Sequence, residues 1–241
     1  MTFLLSRRAL FGVLAVGWIT PVRAGPSSAD VFADPKVAAL ADAALTRNAP
    51  RAAELVRAGA DPNARGDHGV TLLQWMMLRK SHIGFGILLD LGADPTRTGL
   101  DGDGAVHFAA KANDAAYLRM LLDRHVDVDA RNANTGRTPV MEALMGNRTV
   151  QVEMLRHAGA RLDVTDHMGN TPLHVAAQIG ASAEVLAFLE QGAPPQARNR
   201  QGKTFQTYVF MTPERLLTER ARADRRAVAD WLGRHGIALE R

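Results

Sequence analysis

The chain has 241 residues, of which 46% are hydrophobic and 22% charged, a balance typical of chains that fold around a buried core. It contains no cysteine, which excludes disulfide scaffolds, cysteine-bound zinc, iron–sulfur clusters and thiol nucleophiles. The formal net charge of +4 favours a nucleic-acid partner only if the basic excess lies in the folded part of the chain.

Residues 1–24 have the pattern of a cleavable export signal. Arg7 and Arg8 precede a largely apolar run over residues 9–20, and Ala24 is the small residue that ends a cleavage site. The apolar run is too short to span a bilayer. Removing this segment takes away three arginines and no acid, so the formal charge falls to +1. We therefore expect no nucleic-acid partner.

The export route is left open by these residues. The paired arginines, Arg7 and Arg8, fit a twin-arginine signal as well as a general secretory signal. Both routes carry the chain out of the cytoplasm, so we expect a periplasmic or secreted protein without a membrane anchor after cleavage. Residues 25–34 contain one proline and two adjacent serines, and we expect them to form a short flexible lead-in.

Two sequence motifs then recur with a period of 33 or 34 residues. The first begins as Gly-Ala-Asp-Pro, and its copies start at Gly59, Gly92, His125, Gly159 and Gly192. The second lies about ten residues further on and is clearest as Gly-Asn-Thr-Pro-Leu-His-Val-Ala-Ala. Its copies start at Gly69, Gly102, Gly136, Gly169 and Gly202. Because both motifs keep one phase through five copies, they indicate a repeat architecture.

This pattern resembles the ankyrin repeat, in which each unit is a β-turn followed by two antiparallel helices. The resemblance implies an all-α ankyrin solenoid of about six repeats over residues 35–241. The expected units are 35–65, 66–98, 99–131, 132–165, 166–198 and 199–241. The first unit has Lys36 in place of the turn glycine, and in the last unit Gly236 lies 44 residues after Gly192. We expect both terminal units to be atypical caps, and the insertion near Thr212 to add or lengthen a helix.

The fifth unit shows why these residues fit that fold. Thr171 is a good N-cap for a first helix, and Pro172 suits its first turn, where a missing N–H costs nothing. Gly192 ends the second helix, where a positive φ is usually needed. The resemblance gives His107 and His174 a structural role, in which the ring binds backbone groups of adjacent turns.

Motifs of catalysis and cofactor binding are absent from the sequence. No HExxH or GxSxG occurs, and the calcium-like stretch that starts at Asp101 lacks the later ligands of an EF-hand loop. The glycines Gly84 and Gly86 lack the third glycine of a dinucleotide fingerprint. We therefore predict no catalytic residue, no cofactor and no metal site, and we expect the protein not to be an enzyme.

The resemblance implies that the turn tips and the exposed positions of the first helices line a concave face that binds another protein. These positions are Arg65, His68, Arg79, Asp101, Asp103, Lys111, Arg131, Asn134, Arg137, His167, Met168, Asn170, Gln178, Arg198, Arg200, Gln201 and Lys203. Arginine favours such a role because its planar fork pairs with carboxylates while its stem packs.

Similar exported bacterial ankyrin proteins imply two roles. One is support of a co-exported enzyme such as a catalase, and the other is immunity to a secreted toxin. We expect a monomer with a partner protein whose identity the sequence does not reveal. The alternative is an enzyme, or a regulatory subunit of an exported enzyme, with a site carried on the loops.

Overall fold

The computed structural model describes residues 25–240, so the predicted export signal at 1–24 lies outside it. Within this range the chain forms thirteen α-helices and no β-strand, with one isolated bridge between Arg65 and Thr71. The helices are α1 Ser28–Val31, α2 Pro35–Leu45, α3 Ala49–Arg57, α4 Leu72–Leu78, α5 His82–Asp90, α6 Ala105–Lys111, α7 Ala116–Leu122, α8 Pro139–Met145, α9 Thr149–His157, α10 Pro172–Gln178, α11 Ser182–Glu190, α12 Phe205–Phe210 and α13 Glu219–Arg234. The predicted all-helical class is confirmed.

From α2 onward the helices form pairs, each made of a first and a second helix. Each interior first helix packs on the first helix of the next pair as well as on its own second helix. The side chains that fill these contacts are fully buried, one from each first helix: Leu40, Leu72, Val106, Val140, Leu173 and Phe205. One apolar cluster therefore runs through the stack, and no pair buries its own apolar face alone.

The helix ends follow the expected chemistry. Thr171 is the N-cap of α10 and Pro172 is its first residue. Gly192 follows α11 with a φ of +84°, so the left-handed turn predicted there is confirmed. Gly59, Gly92 and Gly159 have φ values of +93°, +88° and +85° at the same place in their units.

Residues 25–34 pack on the stack and are not the flexible lead-in expected from their proline and serine content. Ser27 caps α1, and Phe32 is buried with its ring edge-on to Trp75, the two centroids lying 6.1 Å apart. The Trp75 Nε1–H also donates to the hydroxyl of Ser28 at 3.3 Å. The segment orders because Val31 and Phe32 are apolar and cover the open end of the first pairs.

The insertion in the last unit forms a tight turn and a long helix. Residues Glu214–Leu216 make a single 3-10 turn, and α13 begins after the cap Thr218, so the sequence at Thr212 does not start a helix. At 16 residues α13 is longer than the other second helices, so the expected lengthening is observed. Its Val228, Trp231 and Leu232 are buried and cover the apolar end of the stack.

His125 offers a test of the repeat geometry. It has a φ of +55°, whereas glycine occupies the same place after α3, α5, α9 and α11. A left-handed backbone conformation costs a residue with a Cβ about 1–2 kcal/mol, and glycine avoids this cost. Glycine also has more conformational freedom in the unfolded chain, and this offsets part of the stabilisation. We expect His125→Gly to raise the free energy of unfolding by about 0.5–1 kcal/mol in urea titrations. Unchanged or lower stability would contradict this account.

Candidate partner-binding surface

A row of turns precedes the first helices, and a buried polar side chain organises each of three of them. The Oδ1 atom of Asp166 accepts from the N–H groups of Met168 and Asn170, both at 2.8 Å. Asn132 and Asn199 do the same work in the neighbouring turns. These three residues were not predicted from the sequence, although their spacing of 34 and 33 follows the repeat. They fix the backbone on which the exposed tip residues stand.

Backbone hydrogen bonds then join each of these turns to the next. The N–H of Ala133 donates to the carbonyl of Gly102 at 2.9 Å, and that of His167 to the carbonyl of Thr135 at 2.8 Å. The N–H of Arg200 donates to Met168 at 3.0 Å. The turn tips are therefore held in one row that crosses several units. Such a preformed row loses little conformational entropy when a partner binds.

The third residue of a first helix connects its own cap to the following unit. His174 accepts at Nδ1 from the Thr171 hydroxyl at 2.9 Å, and its Nε2–H donates to the carbonyl of Lys203 at 3.0 Å. His107 bridges in the same way to the carbonyls of Ala130 and Arg137. The structural role that the resemblance implied for both histidines agrees with these contacts.

Gln74 occupies the equivalent position in α4. Its Oε1 accepts from the N–H of Thr71 at 3.2 Å, and its Nε2 donates to the carbonyl of Asp103 at 3.0 Å. The N–H of Thr171 likewise donates to His174, at 3.3 Å, so glutamine makes the same two backbone contacts as the histidine without a titratable group. Burial lowers the pKa of His107 and of His174 below the ordinary value of 6.5, so both rings are neutral when the stack is folded near neutral pH.

Seven of the predicted contact residues are exposed along the row of tips. Within residues 25–240 their side chains make no hydrogen bond or ion pair, and one of them, Lys203, lies over the Tyr208 ring with its Nζ 5.8 Å from the ring centroid. All seven are accessible to a partner. They are His68, Asp101, Asn134, Met168, Arg200, Gln201 and Lys203. We call this set the tip row. It combines two cations, one carboxylate, two amides, one imidazole and one thioether.

A second group is exposed but already bonded within the fold. Arg131 donates to the carbonyl of Thr165 at 2.6 Å, and Arg198 donates to the carbonyl of Gly202 and to Glu240. The others with such bonds are Arg65, Arg79, His167 and Gln178. Substituting these residues disturbs the turns themselves, so they are poor probes of partner binding.

Two of the predicted contact residues lie in the interior. Asp103 is 1% exposed, accepts from the side chain of Asn132 at 2.6 Å and forms an ion pair with Lys111. Asn170 is 8% exposed and accepts from Asn199 at 2.9 Å. Both side chains are buried beneath the turns and hold them in place through these hydrogen bonds. Sequence position alone did not separate them from their exposed neighbours, because the burial depends on contacts 29 residues away.

Charged side chains also lie close together beneath the exposed tips, between α6 and α8. Arg137 approaches Glu142, with 3.8 Å between Nη1 and Oε1. Burial raises the pKa of Glu142, the nearby carboxylate of Asp103 raises it further, and Lys111 and Arg137 oppose the shift. The group is balanced in sign, and its members neutralise one another beneath the exposed tips.

The cavities are open and lie away from the tip row. One of about 610 Å³ is bounded by α11 and α13, and another of about 430 Å³ lies beside Arg161 and Gln191. Among the residues that the structure describes, no three His, Asp or Glu side chains come close enough together to hold a metal ion. None of the described helices is both long and apolar enough to cross a bilayer.

Comparisons with known proteins agree with this geometry. A family model described as ankyrin repeats in three copies matches residues 84–166, and a single ankyrin repeat model matches residues 168–200. The chain is an ankyrin repeat protein. Ankyrin repeat proteins generally mediate protein–protein interaction, and their repeat domains are typically non-catalytic. The helix pairs outside the matched ranges remain predicted terminal caps.

The relatives are similar over part of their length. Protein PhlB of Serratia liquefaciens is 49% identical over 115 residues, which are 48% of this chain and 51% of PhlB. The B-cell lymphoma 3 protein homolog of Mus musculus is 29% identical over 154 residues, 62% of this chain and 34% of that protein. The chain thus spans about half of PhlB and a third of the mouse protein.

Solved structures show the same ankyrin fold. The crystal structure of the ankyrin repeat domain of Bcl-3, described as a member of the IkappaB protein family, aligns with a TM-score of 0.65 and 27% identity. That alignment covers 78% of this chain and 81% of the Bcl-3 domain. The ankyrin repeat protein EF0377 also gives a TM-score of 0.65, at 19% identity, over 80% of this chain and 97% of its own.

The neutral buried histidines predict a loss of stability in mild acid. As the pH falls below about 6.5, histidine in the unfolded chain gains a proton while folded His107 and His174 resist it. The free energy of unfolding should therefore fall between about pH 7.5 and pH 5.5. His174→Gln keeps the two backbone contacts, as Gln74 does, and should reduce this pH dependence in urea titrations. A variant as acid-sensitive as the parent would refute the assignment.

Proposed function

We propose that this protein is a non-catalytic module that binds a partner protein along the tip row. The observation that carries the proposal is the set of seven free side chains held on a hydrogen-bonded frame. Two features distinguish this surface from ordinary solvated charge. The frame is built from buried polar residues such as Asp166, and the tips of successive units stand in register. Because these contacts are already ordered, a folded partner binds them with a small loss of conformational entropy.

The chemistry of the tip row favours a protein over other ligand classes. Arg200 and Lys203 supply cations, Asp101 a carboxylate and Met168 an adaptable apolar contact that is 53% exposed. A nucleic-acid site requires a basic stripe with aromatic platforms, and the tip row contains no Phe, Tyr or Trp. A small-molecule site requires an enclosed pocket, and the cavities described above are open and lie elsewhere.

We further propose that the protein works outside the cytoplasm. The support for this is the composition of residues 1–24, which combine paired arginines, an apolar run and a small residue at the cleavage position. In that compartment the two roles implied by the family resemblance are support of a co-exported enzyme such as a catalase and immunity to a secreted toxin. Both roles would use the tip row, and the identity of the bound protein distinguishes one role from the other.

Charge reversal on the tip row is the direct test. The double variant Met168→Glu/Arg200→Glu changes two exposed side chains that make no hydrogen bond with described residues, so the helices should remain intact by circular dichroism. Partner proteins are first recovered by affinity purification from the exported fraction and identified by mass spectrometry. The purified pair is then measured by calorimetry. Losing an apolar contact and a cation should weaken binding at least about tenfold.

The matched control is Arg119→Glu, which reverses one exposed charge on the second helix α7, away from the tip row. It should bind the partner with unchanged affinity. Equal affinity of the double variant and the parent protein would place the partner elsewhere. A recovered partner whose catalytic activity requires the complex would indicate enzyme support, whereas suppressed toxicity would indicate immunity.

A further inference from the structure

A second surface lies at the other end of the first helices, where each first helix turns into its second helix. We call it the inter-helix edge, and it comprises residues 45–50, 78–83, 111–116, 145–150, 178–183 and 211–218. Nine large hydrophobic side chains in the described chain are strongly exposed, and seven belong to this edge. They are Leu78, Ile83, Met145, Val150, Ile179, Met211 and Leu216. Such a concentration on one side exceeds the scattered exposure that soluble surfaces tolerate.

Cations stand between these apolar side chains. Arg47 and Lys80 occupy the same place in successive units, directly after the first helix, and Arg215 lies in the insertion. Among the described residues these three make no hydrogen bond or ion pair. The carboxylates of the edge are Asp114 and Glu214, and Asp114 is already bonded to His82 at 2.6 Å. Within the described chain the edge therefore presents three unpaired cations and one unpaired carboxylate, that of Glu214, together with exposed aliphatic groups.

A cavity at the edge adds a second observation. It has a volume of about 380 Å³ between the first two units and is lined by Arg47, Arg79, Lys80, Ser81 and His82, with Leu45 and Ile83 at its sides. Its walls thus combine three cations with two aliphatic side chains. Cations of this kind bind a lipid phosphate group, and the aliphatic side chains contact the acyl chain attached to it.

We propose that the inter-helix edge binds the surface of an anionic phospholipid membrane. The apolar side chains project outward from four separate turns, with at most two on any turn, and the third unit interrupts them with Asn113 and Asp114. A folded protein needs a matching pocket for each such side chain, whereas the head-group region of a bilayer accepts them one at a time. The unpaired cations match lipid phosphates.

The insertion strengthens the assignment. It breaks the repeat period, and it contributes the two most exposed large hydrophobic side chains in the described chain, Met211 at 70% and Leu216 at 67%. The tip row stays free in this arrangement because a first helix of seven residues, about 10 Å long, separates it from the edge. Membrane contact and partner binding are therefore independent, and either can hold without the other.

Vesicle co-sedimentation tests the proposal. Protein is purified from the soluble fraction of cells that express the full chain, so every variant carries the same N-terminus. The probes are vesicles of phosphatidylcholine alone and of phosphatidylglycerol mixed with phosphatidylcholine in equal parts. We expect binding to the anionic vesicles at low salt, weaker binding at high salt and little binding to the neutral vesicles.

Two variants remove the proposed contacts without harming the fold. Arg47 and Lys80 have φ values of +61° and +54°, so Arg47→Gly/Lys80→Gly relieves backbone strain while it removes two cations. Its partition onto anionic vesicles should fall about 25-fold, or about fivefold for each cation. Met211→Ser/Leu216→Ser should lower the partition about tenfold.

Two control variants match these changes elsewhere. Asn147→Gly alters the same backbone position, with a φ of +54°, and removes no charge, and Met168→Ser removes an exposed apolar side chain of the tip row. Both should bind vesicles as the parent does. Absence of binding to anionic vesicles, or equal binding by the double glycine variant, would overturn the proposal. So would a dimer in sedimentation velocity that Met211→Ser/Leu216→Ser dissociates, because the edge would then join two copies.

Discussion

The structure depends on coupling between neighbouring units, because a single pair of short helices cannot bury its own apolar face. Two kinds of contact provide the coupling. Apolar side chains such as Leu72 and Leu173 fill the space between successive first helices. Polar groups then fix the register: His174 caps its own helix and donates to the carbonyl of Lys203 in the next unit. The neutral ring is required for this double role, which ties the fold to the protonation state of a buried side chain.

The repeat register divides the remaining surface into regions with different chemistry. Residues before each first helix form the tip row, and residues after it form the inter-helix edge. The tip row rests on buried carboxylate and amide groups and has a mixed charge. The edge carries exposed aliphatic groups and free cations such as Arg47 and Lys80. Because one helix separates the two, each surface can change its residues without disturbing the other or the core.

The sequence predicted the parts of the molecule that obey local rules. The N-cap at Thr171 and the left-handed glycine at Gly192 depend on neighbouring residues, and the period is a direct property of the sequence. All three appear in the structure. The packing of Phe32 against Trp75 and the burial of Asp103 were not predicted, because they arise from contacts between residues far apart in sequence. The apolar edge was not predicted for a related reason: its members are hydrophobic, and only the folded structure shows that they are exposed.

The junction between the fourth and fifth helix pairs lacks the polar bridge that Gln74, His107 and His174 form at other junctions. Met141 occupies the position of His107 and His174, and a thioether cannot donate to the next unit. Within the described chain the Thr138 hydroxyl consequently has no hydrogen-bond partner although it is buried. This junction relies on apolar packing, on bonds between turns and on the hydrogen bond from Arg156 to Gln191, and the tip row crosses it between Asn134 and Met168. A partner spanning both tips would thus hold together two units that lack this polar bridge.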